Sequence, residues 1–137
     1  MKELLLSAEN AIAGRIASVA AKELLKGAQV TIVNAEKALI SGSPRYTIRV
    51  FQEKRERGDP YAGPFYPTMP ERMLRRMVRG MMPYKKPMGK RAFRRLRVHQ
   101  GLPEELQGRA AATFPAAPAK AISLERLAQE LRQRRRV

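Results

Sequence analysis

The residues of this chain whose types and spacing could do chemistry are the cationic side chains between residues 72 and 97. Eleven of these 26 residues are Lys or Arg, which is far above an ordinary charged surface. The first four recur at intervals of three and four residues, and they are Arg72, Arg75, Arg76 and Arg79. That spacing predicts one face of a helix. A row of guanidinium groups suits a line of phosphates, because each can donate two parallel hydrogen bonds.

A run of charge is more often a solvated helix face, and such a face normally mixes signs so that opposite charges attract at i and i+4. Here the first basic helix has one acid, Glu71, against four Arg, and residues 89–97 have none. Unpaired like charges at this spacing cost about a few tenths of a kcal/mol each. Bound phosphates would reverse that cost, so the imbalance favours a phosphate-binding surface.

Two weaker candidates accompany this segment. Gly14 and Arg15 follow a predicted strand, where backbone N–H groups and a guanidinium could meet a phosphate; Gly14 could equally serve close helix packing. The Pro-rich stretch 59–70 carries three rings, Tyr61, Phe65 and Tyr66. They could stack on unpaired bases or simply pack the loop onto the core, and packing is slightly favoured.

Enzyme chemistry finds little support in the residue types. His99 is the only histidine and there is no cysteine, which argues against an imidazole relay, a thiolate nucleophile and the usual zinc sites. No glycine-rich nucleotide motif is present. We therefore predict no catalytic residue, no metal site, no cofactor and no small-molecule substrate.

Composition indicates a polyanionic partner. The net charge is +16, with 19 of the 28 basic residues being Arg, and hydrophobic residues make up 44% of the chain. A core is therefore feasible, but such self-repulsion is best explained by a bound polyanion, with nucleic acid ahead of an anionic membrane. Residues 45–100 carry a net +12 and residues 1–44 only +1. Nothing in the sequence is typical of a leader or a membrane span, so a cytoplasmic protein is expected.

The first third of the chain predicts an α/β core. Residues 4–6 and 29–34 are predicted strands, and residues 14–26 between them have the period of a helix. A strand, helix and strand in this order imply a right-handed crossover and a parallel pair. Residues 38–40 could add a third short strand. The predicted fold class is α/β: a small parallel sheet flanked by helices, with a basic helical segment and a C-terminal extension.

The remaining elements follow from periodicity and capping signals. Helices are predicted at 45–57, from Pro70 to a left-handed cap at Gly80, and from Gly89 to about Arg97, with a short strand or extended exit at 98–101. Residues 104–120 are predicted to form an irregular connector. A helix capped by Ser123 and a basic tail are predicted to follow it. We divide the chain into a domain at 1–103, with a basic helix-turn-helix segment at 70–98, and an extension at 104–137.

Several blocks of the sequence resemble the universal large-subunit ribosomal protein thirteen family in its archaeal form. The most specific is Pro70–Arg72 with Val78–Pro83. The others are Asn10–Ser18, Val30–Asn34 with the residues up to Gly42, and Gly89–Val98 with Gly101. The match spans about residues 3–103, and the stretch from Arg109 to Ala119 departs from the family pattern.

The resemblance implies a structural protein of the large ribosomal subunit that binds large-subunit ribosomal RNA, acts early in assembly and contacts neighbouring ribosomal proteins. It implies no enzyme activity, no membrane and a place in the cytoplasmic ribosome. The RNA-binding residues that it suggests are Arg15, Arg72, Arg75, Arg76, Arg79, Lys85, Lys86, Lys90, Arg91, Arg94, Arg95 and Arg97. A chromatin-type protein that binds DNA without sequence preference is the alternative, and a small nucleotide-binding enzyme is a more distant one.

Overall fold

The computed structural model describes residues 2–56, 67–114 and 120–133. Within those ranges the strands are β1 (Glu3–Ser7), β2 (Gln29–Val33), β3 (Leu39–Ser41), β4 (Leu96–Val98) and β5 (Ala121–Ser123). The α-helices are α1 (Ala13–Leu25), α2 (Pro44–Glu56), α3 (Pro70–Gly80), α4 (Pro87–Arg94) and α5 (Leu124–Gln133). Short 3-10 helices occupy Ala35–Lys37 and Glu104–Leu106.

A three-stranded parallel sheet in the order β1-β2-β4 confirms the predicted α/β class. The register pairs Leu4 with Val30 and Val30 with Leu96. The inward side chains of this row lie in the core, where Val30 is fully buried and Leu96 is 2% exposed. Leu5 and Thr31, on the opposite face, line a concavity together with residues of the segment 105–110. The strand β4 is therefore one edge of the sheet, and the basic helices lead directly into it.

The predicted third strand forms, but it belongs to a different sheet. Residues Leu39–Ser41 pair antiparallel with Ala121–Ser123, so that Ile40 opposes Ile122. The parallel sheet takes β4 as its third strand instead. Pairing across 80 residues of sequence is decided by tertiary contacts, which a local pattern cannot show.

The core is formed mainly by α1, α3 and α5 against the sheet. The helix α1 buries Ile16 and Leu24 completely, and α3 buries Met73, Leu74 and Val78 completely. These three residues form an apolar stripe of α3 together with Met77, which is half-buried against the core. The stripe therefore turns the arginine face of α3 away from the core.

The predicted ends of the two basic helices were wrong in three places. Gly80 is the last residue of α3 and does not adopt a left-handed backbone, and Met81 follows it. The second basic helix begins at Pro87, two residues early, and ends at Arg94, because Leu96–Val98 joins the sheet as β4. After Arg95 the backbone pairs with β2 instead of continuing the helix.

The predicted serine cap of the last helix is confirmed, and the helix has one apolar face. The Ser123 hydroxyl accepts a hydrogen bond from the Arg126 N–H at 3.2 Å, the usual geometry of a serine cap. The side chains of Leu124, Leu127, Ala128 and Leu131 are fully buried. The helix α5 packs against α2 and α3, so this part of the C-terminal extension contributes to the core. The division of the chain at residue 103 stays a prediction.

The predicted roles of Tyr61, Phe65 and Tyr66, and of most of the basic tail at 132–136, fall on residues outside the described ranges.

Candidate nucleic-acid interface

The four arginines of α3 lie on its outward face, as their spacing predicted. Arg72 and Arg79 are exposed, whereas Arg75 and Arg76 are half-buried. The one acid of the helix, Glu71, accepts a hydrogen bond from the side-chain amide of Gln100. The outward face of α3 therefore presents positive charge.

Two aromatic rings hold two of these arginines in place. The Arg75 guanidinium carbon lies 4.3 Å from the centre of the Phe93 ring, and that of Arg79 lies 4.5 Å from the centre of the Tyr84 ring. The two rings contact each other edge to face, with centres 5.5 Å apart and planes at 88°. Cations at such distances are attracted to the negative ring face. Arg75 and Arg79 have like charges and are four residues apart, and each is stabilised by its own ring.

Arg75 has a second contact that ties α3 to the sheet. One of its terminal nitrogens donates a hydrogen bond of 2.8 Å to the backbone oxygen of Leu96 in β4. Burial lowers the pKa of the Arg75 guanidinium from its usual value; the proximity of Tyr84 raises it and that of Arg97 lowers it. An arginine still remains charged at neutral pH. Arg75 thus occupies the open edge of the sheet and keeps its charge at the surface.

The turn between α3 and α4 is compact because its backbone packs on Gly89. A Cβ atom at Gly89 would lie 1.9 Å from the Pro83 carbonyl oxygen. The N–H of Lys86 donates to that same Pro83 oxygen at 3.1 Å. The close approach places Lys85 and Lys86 in an exposed turn, with Lys90 and Arg91 exposed on the helix that follows.

Two adjoining concavities join these elements into one surface. The first is lined by Pro67, Arg72, Arg75, Arg76, Arg79, Tyr84 and Phe93. The second is lined by Arg75, Arg94, Leu96, Arg97, Val98 and His99. Arg75 borders both. We call the six arginines that line them (Arg72, Arg75, Arg76, Arg79, Arg94 and Arg97) the cationic surface.

Arg95 lies apart from the cationic surface and contacts the protein itself. Its guanidinium donates to the Leu24 oxygen at 2.7 Å and to the Ala28 oxygen at 3.3 Å. These carbonyls lie at and just beyond the C-terminal end of α1, where backbone oxygens lack helical partners and the helix dipole is negative. Arg95 therefore joins α1 to the start of β4. An RNA contact by its remaining N–H donors stays a prediction.

Replacing Arg95 with Gln should destabilise the protein by about 2 kcal/mol, because hydrogen bonds from a charged group to two carbonyls are lost. Replacing the adjacent Arg94 with Gln is the matched control, since Arg94 is exposed and should change stability by less than about 0.5 kcal/mol. Urea unfolding followed by circular dichroism measures both. Equal stability of the two variants would contradict the structural role of Arg95.

Arg15 is exposed in the first turn of α1 and lines neither concavity. Its N–H donates to the Ile12 oxygen at 3.0 Å, and its own oxygen accepts from the Ser18 hydroxyl at 2.7 Å. The structure therefore does not join Arg15 to the cationic surface, and its RNA-binding role stays a prediction.

Sequence reasoning missed the positioning roles of Tyr84 and Phe93. Phe93 is half-buried beneath Arg75. Tyr84 lies in a turn between two prolines and had no assigned role. The available signal was two rings that follow the arginine-rich helix α3 in the sequence, and these indicate cation–π contacts only once the packing of α3 and α4 is known.

Over the described ranges, no group of three or more His, Cys, Asp or Glu is placed to hold a metal ion. In the same part of the chain, no helix is both long and apolar enough to cross a bilayer. The fold and the surface together define a small α/β protein with a cationic face of the kind that binds polyanions.

Comparison with known proteins specifies the family. Residues 1–105 match the model of the family described as Ribosomal protein L13. The chain is similar to the large ribosomal subunit protein uL13 of Archaeoglobus fulgidus, at 48% identity over 104 residues, covering 76% of this chain and 67% of that protein. The uL13 of Methanopyrus kandleri is 48% identical over 98 residues, covering 72% and 62% of the two chains. That of Methanosarcina barkeri is 44% identical over 119 residues, covering 86% and 85%.

The chain therefore belongs to the ribosomal protein L13 family, and the resemblance drawn from the sequence is confirmed. This is a family of ribosomal proteins and not of enzymes, which agrees with the residue types.

Proposed function

We propose that this chain is a structural constituent of the large ribosomal subunit that binds large-subunit ribosomal RNA and supports early assembly of that subunit in the cytoplasm. The observation that carries the proposal is the cationic surface, in which Arg75 and Arg79 lie on Phe93 and Tyr84 beside exposed Arg72, Arg94 and Arg97. Family membership supports the assignment to the large ribosomal subunit, and the cationic surface supports binding to the RNA through its phosphates.

In this proposal, phosphate contacts provide the affinity and shape provides the selectivity. The major groove of an RNA helix is too deep and narrow for side chains to read, so a folded RNA is recognised by its backbone and its grooves. Guanidiniums held on rings lose little conformational freedom on binding, which favours a rigid phosphate-binding array. Lys85, Lys86, Lys90 and Arg91 extend the array beyond the concavities. Neighbouring ribosomal proteins are proposed as the other partners.

The test is the salt dependence of binding to large-subunit ribosomal RNA. Replacing Arg72 and Arg79 together with Ala should lower the slope of log K against log salt by about 1.4 to 1.8, because each phosphate contact contributes about 0.7 to 0.9. Both side chains are exposed, so the thermal unfolding transition should stay cooperative. Fluorescence titration of labelled RNA at four salt concentrations provides the slope.

The matched control removes two positive charges elsewhere. Lys2 and Arg109 are exposed and lie within 4.0 Å of Glu23 and Glu3 respectively, at the β1 side of the sheet. The double replacement of Lys2 and Arg109 with Ala should leave the slope nearly unchanged. If both double variants reduce the slope equally, general charge and not the cationic surface binds RNA.

A chromatin-type protein is the alternative function, and a competition experiment separates the two. Duplex DNA added in tenfold excess should fail to displace large-subunit ribosomal RNA at physiological salt. Equal affinity for duplex DNA and ribosomal RNA would favour the alternative, because contact with phosphates alone does not depend on sequence or fold.

A further inference from the structure

A second group of arginines surrounds an exposed tyrosine on α2. Tyr46 is 60% exposed, and the Arg49 guanidinium carbon lies 5.6 Å from the centre of its ring. Tyr46 and Arg49 are one helical turn apart, so the contact is local and the ring stands on the outer face of α2. The other side of α2 buries Thr47, Ile48 and Phe51, which holds the helix in a defined orientation.

The surroundings of Tyr46 are basic and polar. Ser43, Arg45, Arg49 and Gln52 line a shallow open concavity with it. Arg45 and Arg49 are exposed and one turn apart. Residues 43–52 contain no acid, since Glu53 and Glu56 come later in the helix. This face therefore combines an accessible ring, two positive charges and neutral hydrogen-bonding groups.

This combination fits unpaired nucleotides better than a duplex or an acidic protein. A base can stack on a tyrosine ring or a guanidinium plane, while its phosphate binds a neighbouring arginine. The bases of a duplex are already stacked on each other, so none is available to stack on the Tyr46 ring. An acidic protein surface would pair with the arginines but would not require an exposed ring at their centre.

The face on α2 is separate from the cationic surface. Arg55, at the C-terminal end of α2, donates to the Leu131 oxygen of α5, and Arg132 of α5 in turn approaches the Met69 sulfur just before α3. The C-terminal end of α2 and the residue just before α3 thus both contact the C-terminal end of α5. Tyr46 lies about 13 Å back along α2 from Arg55, at 1.5 Å per residue, and away from that meeting point.

We propose that Arg45, Tyr46 and Arg49 form a second RNA-binding site, specific for unpaired nucleotides, in which a base stacks on the Tyr46 ring and its phosphates contact the two arginines. The inference rests on the proposed ribosomal RNA binding and adds a second, separate RNA segment to it. A protein with two such sites connects two parts of the RNA, which is a way to stabilise a folded RNA during assembly.

The test compares Tyr46→Ala with Tyr46→Phe in the full chain, using large-subunit ribosomal RNA as the probe. Tyr46→Ala should weaken binding about tenfold, the effect of losing one base–aromatic stack, whereas Tyr46→Phe should bind like the wild type because the ring is kept.

Chemical footprinting should show lost protection at unpaired nucleotides in Tyr46→Ala. The Arg72 and Arg79 double variant should lose protection in a different RNA segment. An Arg45 and Arg49 double replacement with Ala should lose the same protections as Tyr46→Ala, and thermal melts should show each variant folded.

If Tyr46→Ala binds the RNA with wild-type affinity and protects the same nucleotides as the wild type, the second site is overturned. Equal weakening by Phe and Ala would overturn the stacking role. Failure of the proposed function looks different: the wild type would then show no preference for large-subunit RNA, and the Arg72 and Arg79 variant would change nothing.

Discussion

Replacing Gly89 with Ala is expected to destabilise the protein by about 3 kcal/mol or more, the upper end of the cost of overpacking. The added methyl group would lie 1.9 Å from the Pro83 oxygen and 2.5 Å from its carbonyl carbon. Both are backbone atoms, so no side-chain rotation can relieve the clash and the turn must move. Guanidinium unfolding with a two-state fit measures the loss.

The same substitution at Gly80 is its matched control and should have the opposite sign. A Cβ atom at Gly80 meets nothing within 4 Å, and the residue is helical. Alanine there should stabilise the protein by up to about 1 kcal/mol, because it loses less backbone entropy than glycine on folding. If Gly89→Ala is no less stable than Gly80→Ala, the close approach of α4 to Pro83 is not present in solution.

Movement of this turn should also reach the cationic surface. Gly89→Ala displaces the backbone that carries Tyr84, the ring beneath Arg79. We therefore expect weaker binding to large-subunit ribosomal RNA even under conditions where the variant is fully folded.

Replacing Leu127 with Ala is expected to destabilise the protein by about 2 to 5 kcal/mol, the usual range for a fully buried leucine. Leu127 lies in the C-terminal helix α5 and is 0% exposed. Its helix packs against α2, α3 and the 3-10 helix at Ala35–Lys37, so the cavity would open in the shared core. Urea unfolding followed by circular dichroism gives the difference.

Gln129 of the same helix provides the control, since it is exposed and its replacement with Ala should change stability by less than about 0.5 kcal/mol. The result also tests how the extension relates to the domain. If α5 were an independent appendage, Leu127→Ala would leave the main unfolding transition unchanged.

The sequence predicted most accurately where the signal is local. The arginine face of α3 follows from spacing alone, because residues three and four apart share a helix face in any context. The Ser123 cap of α5 was predictable because a serine directly before a helix is a local signal. The β1-α1-β2 unit was predictable because a right-handed crossover is nearly the only arrangement that packs.

Boundaries and pairings depended on partners that lie far away in the sequence. The helix α4 ends at Arg94 because β4 pairs with β2, and β3 leaves the parallel sheet because β5 pairs with it. Neither partner is visible in a window of a few residues. The position of Arg95 among the basic residues of this segment likewise gave no sign that its guanidinium reaches the carbonyls of Leu24 and Ala28.

By itself, then, the sequence determined the α/β class, the charge imbalance of residues 72–97 and the family, all of which depend on residue types and short spacings. Only the tertiary structure decided which arginines form the surface. It placed Arg75 and Arg79 on two rings from the next turn and helix, and it turned Arg95 inward. The physical reason is that periodicity sets the face on which a charge stands, whereas long-range packing sets what that charge contacts.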